Sequence, residues 1–399
     1  MNEEFRKDYP IRRIFHDHLD EIRNIPFLTD TQRTAALLIG VCKTADMGFN
    51  ATLCPNCGVQ LHYASCNNRN CPSCQWPSQQ SWILQRENEV IPGIPYYHIV
   101  LTVPHDLNPL IQLNEALLLL ELFSCSSRAV IDLSKDRRFL GAAPGIVSVL
   151  HTWRQDLLLH YHIHMIVSGG GLNSMGQFIT QKDPSRNRKK QPEYDGGFFL
   201  PMAALTKLFR GKLMDSVKRL WKKNLMNLPN ANIYTDPNGW AAFCDRLYEK
   251  KWVGHIVRTF NGKGNAIEYL ARYTFRTAIS NSRILDYDGK SVTFSISDRN
   301  TGEKKTVILS AMEFIRRFLS HVLPKGFTRV RYSGYLSNAW KTRKLRSIHR
   351  QRHLPAYAPS PLTGASKRDL FLAIWHTDIS LCKCCGAQLI HFPRGQPLI

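Results

Sequence analysis

The run His160-Tyr161-His162-Ile163-His164 constrains this chain more than any other stretch. Successive side chains of a β-strand point to opposite faces, so the three histidines share one face while Tyr161, Ile163 and Met165 take the other. A histidine pair on a rigid strand is a preformed half of a metal site. A divalent ion there would polarise a phosphate oxygen and stabilise the charge that grows during phosphoryl transfer. The triplet Gly169-Gly170-Gly171 closes the run, and Tyr269 and Tyr273 further on offer phenols as nucleophiles.

The 399 residues carry a formal net charge of +22. That excess selects a polyanionic partner, either nucleic acid or an anionic membrane surface. No stretch reaches the roughly 20 apolar residues of a membrane span; the best candidate, Leu117 to Leu120, is cut by Glu121. The start, Met1-Asn2-Glu3-Glu4-Phe5, has no signal-peptide core. A cytoplasmic protein acting on DNA or RNA is expected, with no membrane role.

Eleven cysteines in such a chain point to metal ligands or buried thiols rather than disulfides. Cys54-Pro55-Asn56-Cys57 and Cys71-Pro72-Ser73-Cys74 are paired knuckles, the spacing that lets two thiolates grip one tetrahedral ion. The expected structural zinc site is therefore Cys54, Cys57, Cys71 and Cys74. Cys42 and Cys66 are surplus to it, joining a second ion with His62 or remaining thiols. Asn67, Asn68, Arg69 and Asn70 lie between the knuckles as candidate phosphate contacts. Near the end, Cys382-Lys383-Cys384-Cys385 offers a single knuckle, whose ion would need distant partners such as His376 or His391.

From about Ile94 the texture changes to strands and amphipathic helices. Tyr97 to Val103 reads as a strand ended by Pro104, residues 111 to 135 as a leucine-rich helix, and Gly145 to Trp153 as a strand. A short connection around Asp156 leads into the histidine strand as an antiparallel hairpin. Residues 173 to 197, with Lys189, read as a mobile basic loop. A helix from Met202 to Lys223, another opening at Asp236-Pro237, and a strand at Trp252 to Thr259 follow. Asn265 to Arg276 reads as a helix on which Tyr269 and Tyr273 lie one turn apart, with Arg272 and Arg276 beside them. Two strands, Ser291 to Ser297 and Lys304 to Leu309, precede a helix from Ala311 and a basic segment with Lys341, Arg343, Lys344 and Arg346. The order gives an α+β fold with helices packed on an antiparallel sheet. Three parts are expected: a zinc-binding domain at 1–90, a catalytic domain at 91–285, and a basic C-terminal DNA-binding region at 286–399.

The cysteine cluster, Thr152-Trp153-x-Gln155, the histidine strand with its glycine triplet, Tyr269-Leu270-Ala271-Arg272-Tyr273-Thr274 and Arg331-Tyr332-x-Gly334 occur in one order from about residue 20 to 350. In this the chain resembles the rolling-circle transposases of the IS ninety-one-like family, bacterial two-tyrosine enzymes of the HUH endonuclease class. The resemblance implies an N-terminal zinc-binding domain, an RNA-recognition-like HUH palm, and nicking and joining of single-stranded DNA at transposon ends and target DNA. It makes Tyr269 and Tyr273 the nucleophiles and His162 and His164 the ligands of Mg²⁺ or Mn²⁺. Gln155, seven residues before the pair, is the implied third ligand, with His160 as its rival. Tyr161 stands where the family more often has proline. The implied product is a 5′-phosphotyrosine link with a free 3′-hydroxyl, and the implied location is the bacterial cytoplasm, associated with the nucleoid. A replication initiator or relaxase of the same chemistry is the alternative enzyme. A noncatalytic zinc-dependent DNA-binding regulator is the alternative of another class.

Overall fold

The computed structural model describes residues 9–181, 200–261, 277–297 and 301–392. The basic residue Lys189, and the segment with Tyr269, Arg272, Tyr273 and Arg276, lie outside these residues.

The chain opens with α1 (Pro10–Asp17), whose Ile11, Ile14 and Phe15 form one buried stripe at helical spacing. After α2 (Leu19–Arg23), α3 (Asp30–Gly40) starts at a capping box in which Thr29 and Gln32 satisfy each other's backbone N–H groups. The strands β1 (Phe49–Cys54) and β2 (Gly58–Tyr63) form a hairpin, and α4 (Gln75–Arg86) leads away from the Cys71–Cys74 turn. Next come β3 (Pro95–Thr102), α5 (Asn108–Leu113), α6 (Glu115–Lys135), β4 (Ala143–Trp153), β5 (Leu159–Leu172) and β6 (Phe178–Thr180). Then follow α7 (Met202–Lys222), α8 (Asn232–Thr235), α9 (Pro237–Glu249) and β7 (Gly254–Asn261). Asp236 caps α9 by accepting from the Gly239 N–H at 2.7 Å, with Pro237 in the first turn. The last part holds β8 (Ile284–Tyr287), β9 (Ser291–Ser297), β10 (Lys304–Ser310), α10 (Ala311–Leu319), β11 (Val330–Ser333), α11 (Lys341–Gln351), α12 (Lys367–Trp375) and β12 (Ile390–His391).

The central sheet runs β11-β4-β5-β3-β7 with β6 added at the end of β5, and its pairings are all antiparallel. Strict alternation sorts its residues. Tyr161, Ile163, Met165 and Val167 join Tyr97, Ile99, Leu101, Ile146 and Leu150 in a core closed by Leu122, Phe123, Phe209, Leu213 and Phe243 of the helices. Each such side chain, fully buried, contributes about 1.5–3 kcal/mol. The other face carries the histidines. The glycine triplet exists because neighbours crowd it: a Cβ on Gly169 would lie 2.6 Å from Pro95 Cγ, and one on Gly171 would lie 2.4 Å from the Ala143 oxygen.

β11, from within the segment expected as a basic C-terminal region, is the edge strand of the central sheet. Its motif has a packing cause. The Tyr332 hydroxyl accepts from Trp82 Nε1 at 3.1 Å and Arg86 Nε at 3.0 Å, tying α4 to the sheet. Gly334 has φ +66, and a Cβ there would meet the Pro144 oxygen at 1.6 Å, so no other residue fits.

A second sheet, β10-β9-β8, packs with α10 against α1 and α3. Phe15 meets Phe318 edge-on with ring centroids 5.1 Å apart, and Phe294 meets Phe314 at 5.9 Å. The N-terminal helices and residues 284–322 thus share one core. A third sheet, β12-β1-β2, brings the end of the chain back to its beginning. Among the described residues, no helix is long and apolar enough to cross a membrane.

The shared core makes a prediction. Phe318→Ala should cost about 3–5 kcal/mol of stability, and hydrogen exchange should speed up in α1 as well as in β9. Loosening of β9 with α1 unaffected would show that the N-terminal helices stand on their own core.

Candidate active site and metal centres

The β4–β5 register sets the site. His151 pairs with His162, Val149 with His164, and Val100 of β3 with His164 on the other side. His151, His162 and His164 are all buried, and one ring nitrogen of each lies within 4.8 Å of the others. Hydrogen bonds orient two of them, and a ring stack the third. His162 Nδ1 donates to the His160 carbonyl at 2.7 Å, and a neutral ring that donates there carries its lone pair on Nε2. His164 Nδ1 lies 2.8 Å from His98 Nε2, with the two rings stacked 6° from parallel. When His164 donates in that bond, its own Nε2 is likewise the ligand atom. Burial, and then the nearby charge of His255, hold His98 down at about 4, so it stays neutral and able to accept near pH 7. Trp153 stacks on His151 at 4.6 Å and limits its rotation.

Three imidazoles on two adjacent strands, each held by a second partner, have the build of a metal centre. The cluster opens into a cleft of about 1090 Å³. Its walls come from three layers: Pro72 of the Cys71–Cys74 knuckle with Gln75 and Gln79 of the helix it opens, the central sheet with His160 and His255, and Thr277 to Ser280 with Arg283 and Ser297. Among the described lining residues there is no Asp or Glu, while Arg154 and Arg283 are present. Described walls without a carboxylate and with two guanidinium groups, that of Arg154 paired with Asp156 just outside at 2.9 Å, suit an anion.

The sequence expectation for the third ligand differs from what the fold brings together. Gln155 reaches the cleft wall, but its carboxamide oxygen accepts from the Ser297 N–H at 2.6 Å, and its carbonyl accepts from Arg283 at 2.5 Å. It lies in the turn beyond the ladder and ties β9 to the hairpin. His160 Nδ1 lies 2.8 Å from His105 Nε2, outside the three-histidine group. His151, in the strand read from sequence but not marked as a ligand, is the third member of the group the fold brings together. The signal was its two-residue spacing from Val149 and Trp153, which puts it on the histidine face once the hairpin register is known.

The cysteines divide differently from expectation as well. Cys71 and Cys74 join Cys42 and Cys66, whereas Cys54 and Cys57 join Cys382 and Cys385. The four residues expected as a single set thus fall into two groups in the structure. The cause is length: the six-residue arms of the β1–β2 hairpin carry its turn about 17 Å from its base, and Cys66 and Cys71 follow the base. In the first cluster, Cys42 Sγ lies 3.5 Å from Cys74 and 3.8 Å from Cys71, and Cys66 lies 3.7 Å from Cys74. A tetrahedron with Zn–S bonds of about 2.3 Å has edges of about 3.8 Å. His62, exposed on β2, belongs to neither cluster.

The basic candidates also separate. Lys341 forms an ion pair with Glu89 at 2.6 Å with both side chains largely buried, and Lys344 donates to the Gly334 carbonyl at 3.2 Å. Arg343 and Arg346 are exposed on α11, with Arg350 one turn further on. Arg69 is spent on the fold, donating to the carbonyls of Leu323, Pro324 and Phe327. Arg329, half-buried and beside Arg69, is held down at about 10 by desolvation and then by the Arg69 charge, and it donates to Asn70.

Known proteins share this arrangement of sequence. Residues 145–344 match the model of a family described as putative transposase, and residues 14–103 match that of a transposase zinc-binding domain. A putative transposase, y4qJ, of Sinorhizobium fredii (strain NBRC 101917 / NGR234) is 32% identical over 363 residues, spanning 90% of this chain and 88% of its own. The transposase for insertion sequence element IS801 of Pseudomonas savastanoi pv. phaseolicola is 27% identical over 88% of this chain and 80% of its own. No solved structure matches. Two matched domains in this order, with end-to-end relatives, show that the chain belongs to the IS ninety-one-like family of transposases, enzymes that act on DNA.

Proposed function

We propose that this transposase nicks and rejoins single-stranded DNA at transposon ends during rolling-circle transposition, through a 5′-phosphotyrosine intermediate on Tyr269 or Tyr273. The observation that carries the reading is the three-histidine cluster at the floor of a cleft whose described lining holds no carboxylate. The central sheet is read as an HUH palm on the same ground. Single-strand specificity carries over from the family resemblance.

His151, His162 and His164 would hold the divalent ion. When bound, it would polarise the scissile phosphate and offset the charge of the transition state. Three imidazoles without a carboxylate form a donor set for Mn²⁺ more than for Mg²⁺, which prefers oxygen. Arg154, half-exposed beside Asp156, would bind and orient a backbone phosphate that flanks the scissile one, and Arg283, whose guanidinium donates to the carbonyls of Gln155 and Ser295, would add positive potential to the wall. Trp153 and His98 would keep the ligand rings in place.

The tyrosines lie outside the described residues, but Thr277, four residues after Tyr273, lines the cleft. In the step itself, the phenolic oxygen of one tyrosine forms a bond to phosphorus and the bond to the 3′ oxygen breaks. The phenol's proton ends on the released 3′-hydroxyl. No water is consumed, so the phosphoester is conserved for rejoining, and a second tyrosine allows a second transfer while the first stays bonded.

Three outcomes test this reading. His151→Ala should lower nicking of a single-stranded transposon-end oligonucleotide by about a hundredfold or more while leaving most of the binding, whereas Gln155→Ala should change it by less than about tenfold. Equal losses in both would return Gln155 to the ligand set. Tyr269→Phe with Tyr273→Phe should abolish the covalent protein–DNA band that survives denaturation; its persistence would place the nucleophile elsewhere. Arg343→Gln with Arg346→Gln should weaken DNA binding for all sequences alike and reduce the slope of log affinity against log salt by about 1 to 2. An unchanged slope would make that face of α11 a solvated surface.

A further inference from the structure

The cysteine pair Cys382 and Cys385 lies far outside residues 14–103, the extent of the matched zinc-binding domain. Yet Cys385 Sγ is 3.4 Å from Cys54 Sγ, 331 positions away, and Cys382 Sγ is 3.9 Å from Cys57 Sγ. These separations bracket the edge of about 3.8 Å expected for four thiolates on one zinc ion.

Both halves have the same local form. Each is a Cys-x-x-Cys followed by glycine, and both glycines take the left-handed region, Gly58 at φ +83 and Gly386 at φ +77. That turn aims backbone N–H groups at the first sulfur. Those of Asn56 and Cys57 face Cys54, and those of Cys384 and Cys385 face Cys382. Side-chain amides add to this, Asn56 donating to Cys385 at 3.7 Å and Gln60 to Cys382 at 3.5 Å. Donors converging on sulfur favour the thiolate that a metal takes.

The surrounding sheet has little else to hold it. β2 is exposed along almost its whole length, with Val59, Leu61 and Tyr63 all more than half exposed. β12 contributes two residues, paired through Thr52 with His391 and Leu53 with Ile390. Three strands without an apolar core need a cross-link to keep one structure.

We propose that Cys54, Cys57, Cys382 and Cys385 bind a second zinc ion, forming a zinc ribbon whose two halves come from opposite ends of the chain. The N-terminal module is then complete only when the C-terminal tail has docked. The ion locks β12 onto β1 and keeps α12, which packs on α4, beside the N-terminal module. This assignment is independent of the catalytic reading.

Native mass spectrometry of the reduced, full-length protein should find two zinc ions per chain. Cys382→Ser with Cys385→Ser should leave one ion and render the region after Ser360 rapidly cleavable by protease, with helical content kept. In the unaltered protein, the exposed Cys57 and Cys385 should resist alkylation by iodoacetamide until a zinc chelator is added, a readout that holds even where the double variant does not fold. A single zinc in the unaltered protein, two zinc ions in the double variant, or immediate alkylation of Cys57 and Cys385 without chelator would each overturn the proposal.

Discussion

The pairing of β4 with β5 is the constraint on which the rest of the site depends. Because side chains alternate, a slip of one residue would turn His162 and His164 into the helical core and expose Tyr161, Ile163 and Met165. The burial of those three residues, together with the close approach of β4 to Gly171, holds the register against such a slip. Just beyond the His151–His162 pair the ladder shifts, so that Trp153 pairs with Leu159. An irregularity of this kind re-aims the side chains beside it. Here it lies where Trp153 stacks on His151 and where the chain departs toward Gln155.

Burying several imidazoles side by side works against stability. Each ring loses water, and a buried polar atom left without a partner costs about 1–3 kcal/mol. The chain offsets this with the bonds from His162 to the His160 carbonyl and between His164 and His98. It also holds His98 neutral, which avoids a buried cation next to the cluster. A wholly apolar face would be simpler to fold, as the same sheet shows on its helical side. Retaining four polar rings there, aligned and partnered, is a local cost that a reactive site accounts for.

Much of the architecture was legible because its signals are local. The alternation around His162 marked a strand with two unlike faces, the turn at Asp156 marked a hairpin, and Asp236-Pro237 marked a helix start. What escaped was pairing over distance. The third histidine comes from the neighbouring strand, and only the turn length and the ladder decide whether His151 or Gln155 stands opposite His162. The cysteines show the same effect on a larger scale. Two knuckles close in sequence looked like one site, but the rigid hairpin separates them, and each is completed by thiols with no knuckle nearby or from the far end of the chain. Lys341 and Lys344 read as DNA contacts of the basic segment because periodicity alone does not reveal Glu89 or the Gly334 carbonyl as their partners.

The first cysteine cluster is more than a remote prop for the N-terminal helices. Cys71 and Cys74 bracket Ser73, whose hydroxyl accepts from Asn281 Nδ2 at 3.2 Å, while Asn281 Oδ1 accepts from the Ile11 N–H at 3.2 Å. Asn281 directly follows Thr277 to Ser280, which form part of the cleft wall. Pro72, Gln75 and Gln79, from the same knuckle and the helix it opens, form the facing wall. Fixing four sulfurs therefore fixes the knuckle, the knuckle positions Asn281, and Asn281 anchors the end of the chain segment that borders the histidines. Loss of the thiolate cluster would widen the cleft from two sides at once, so the integrity of the N-terminal module and the geometry of the reactive floor are one mechanical problem.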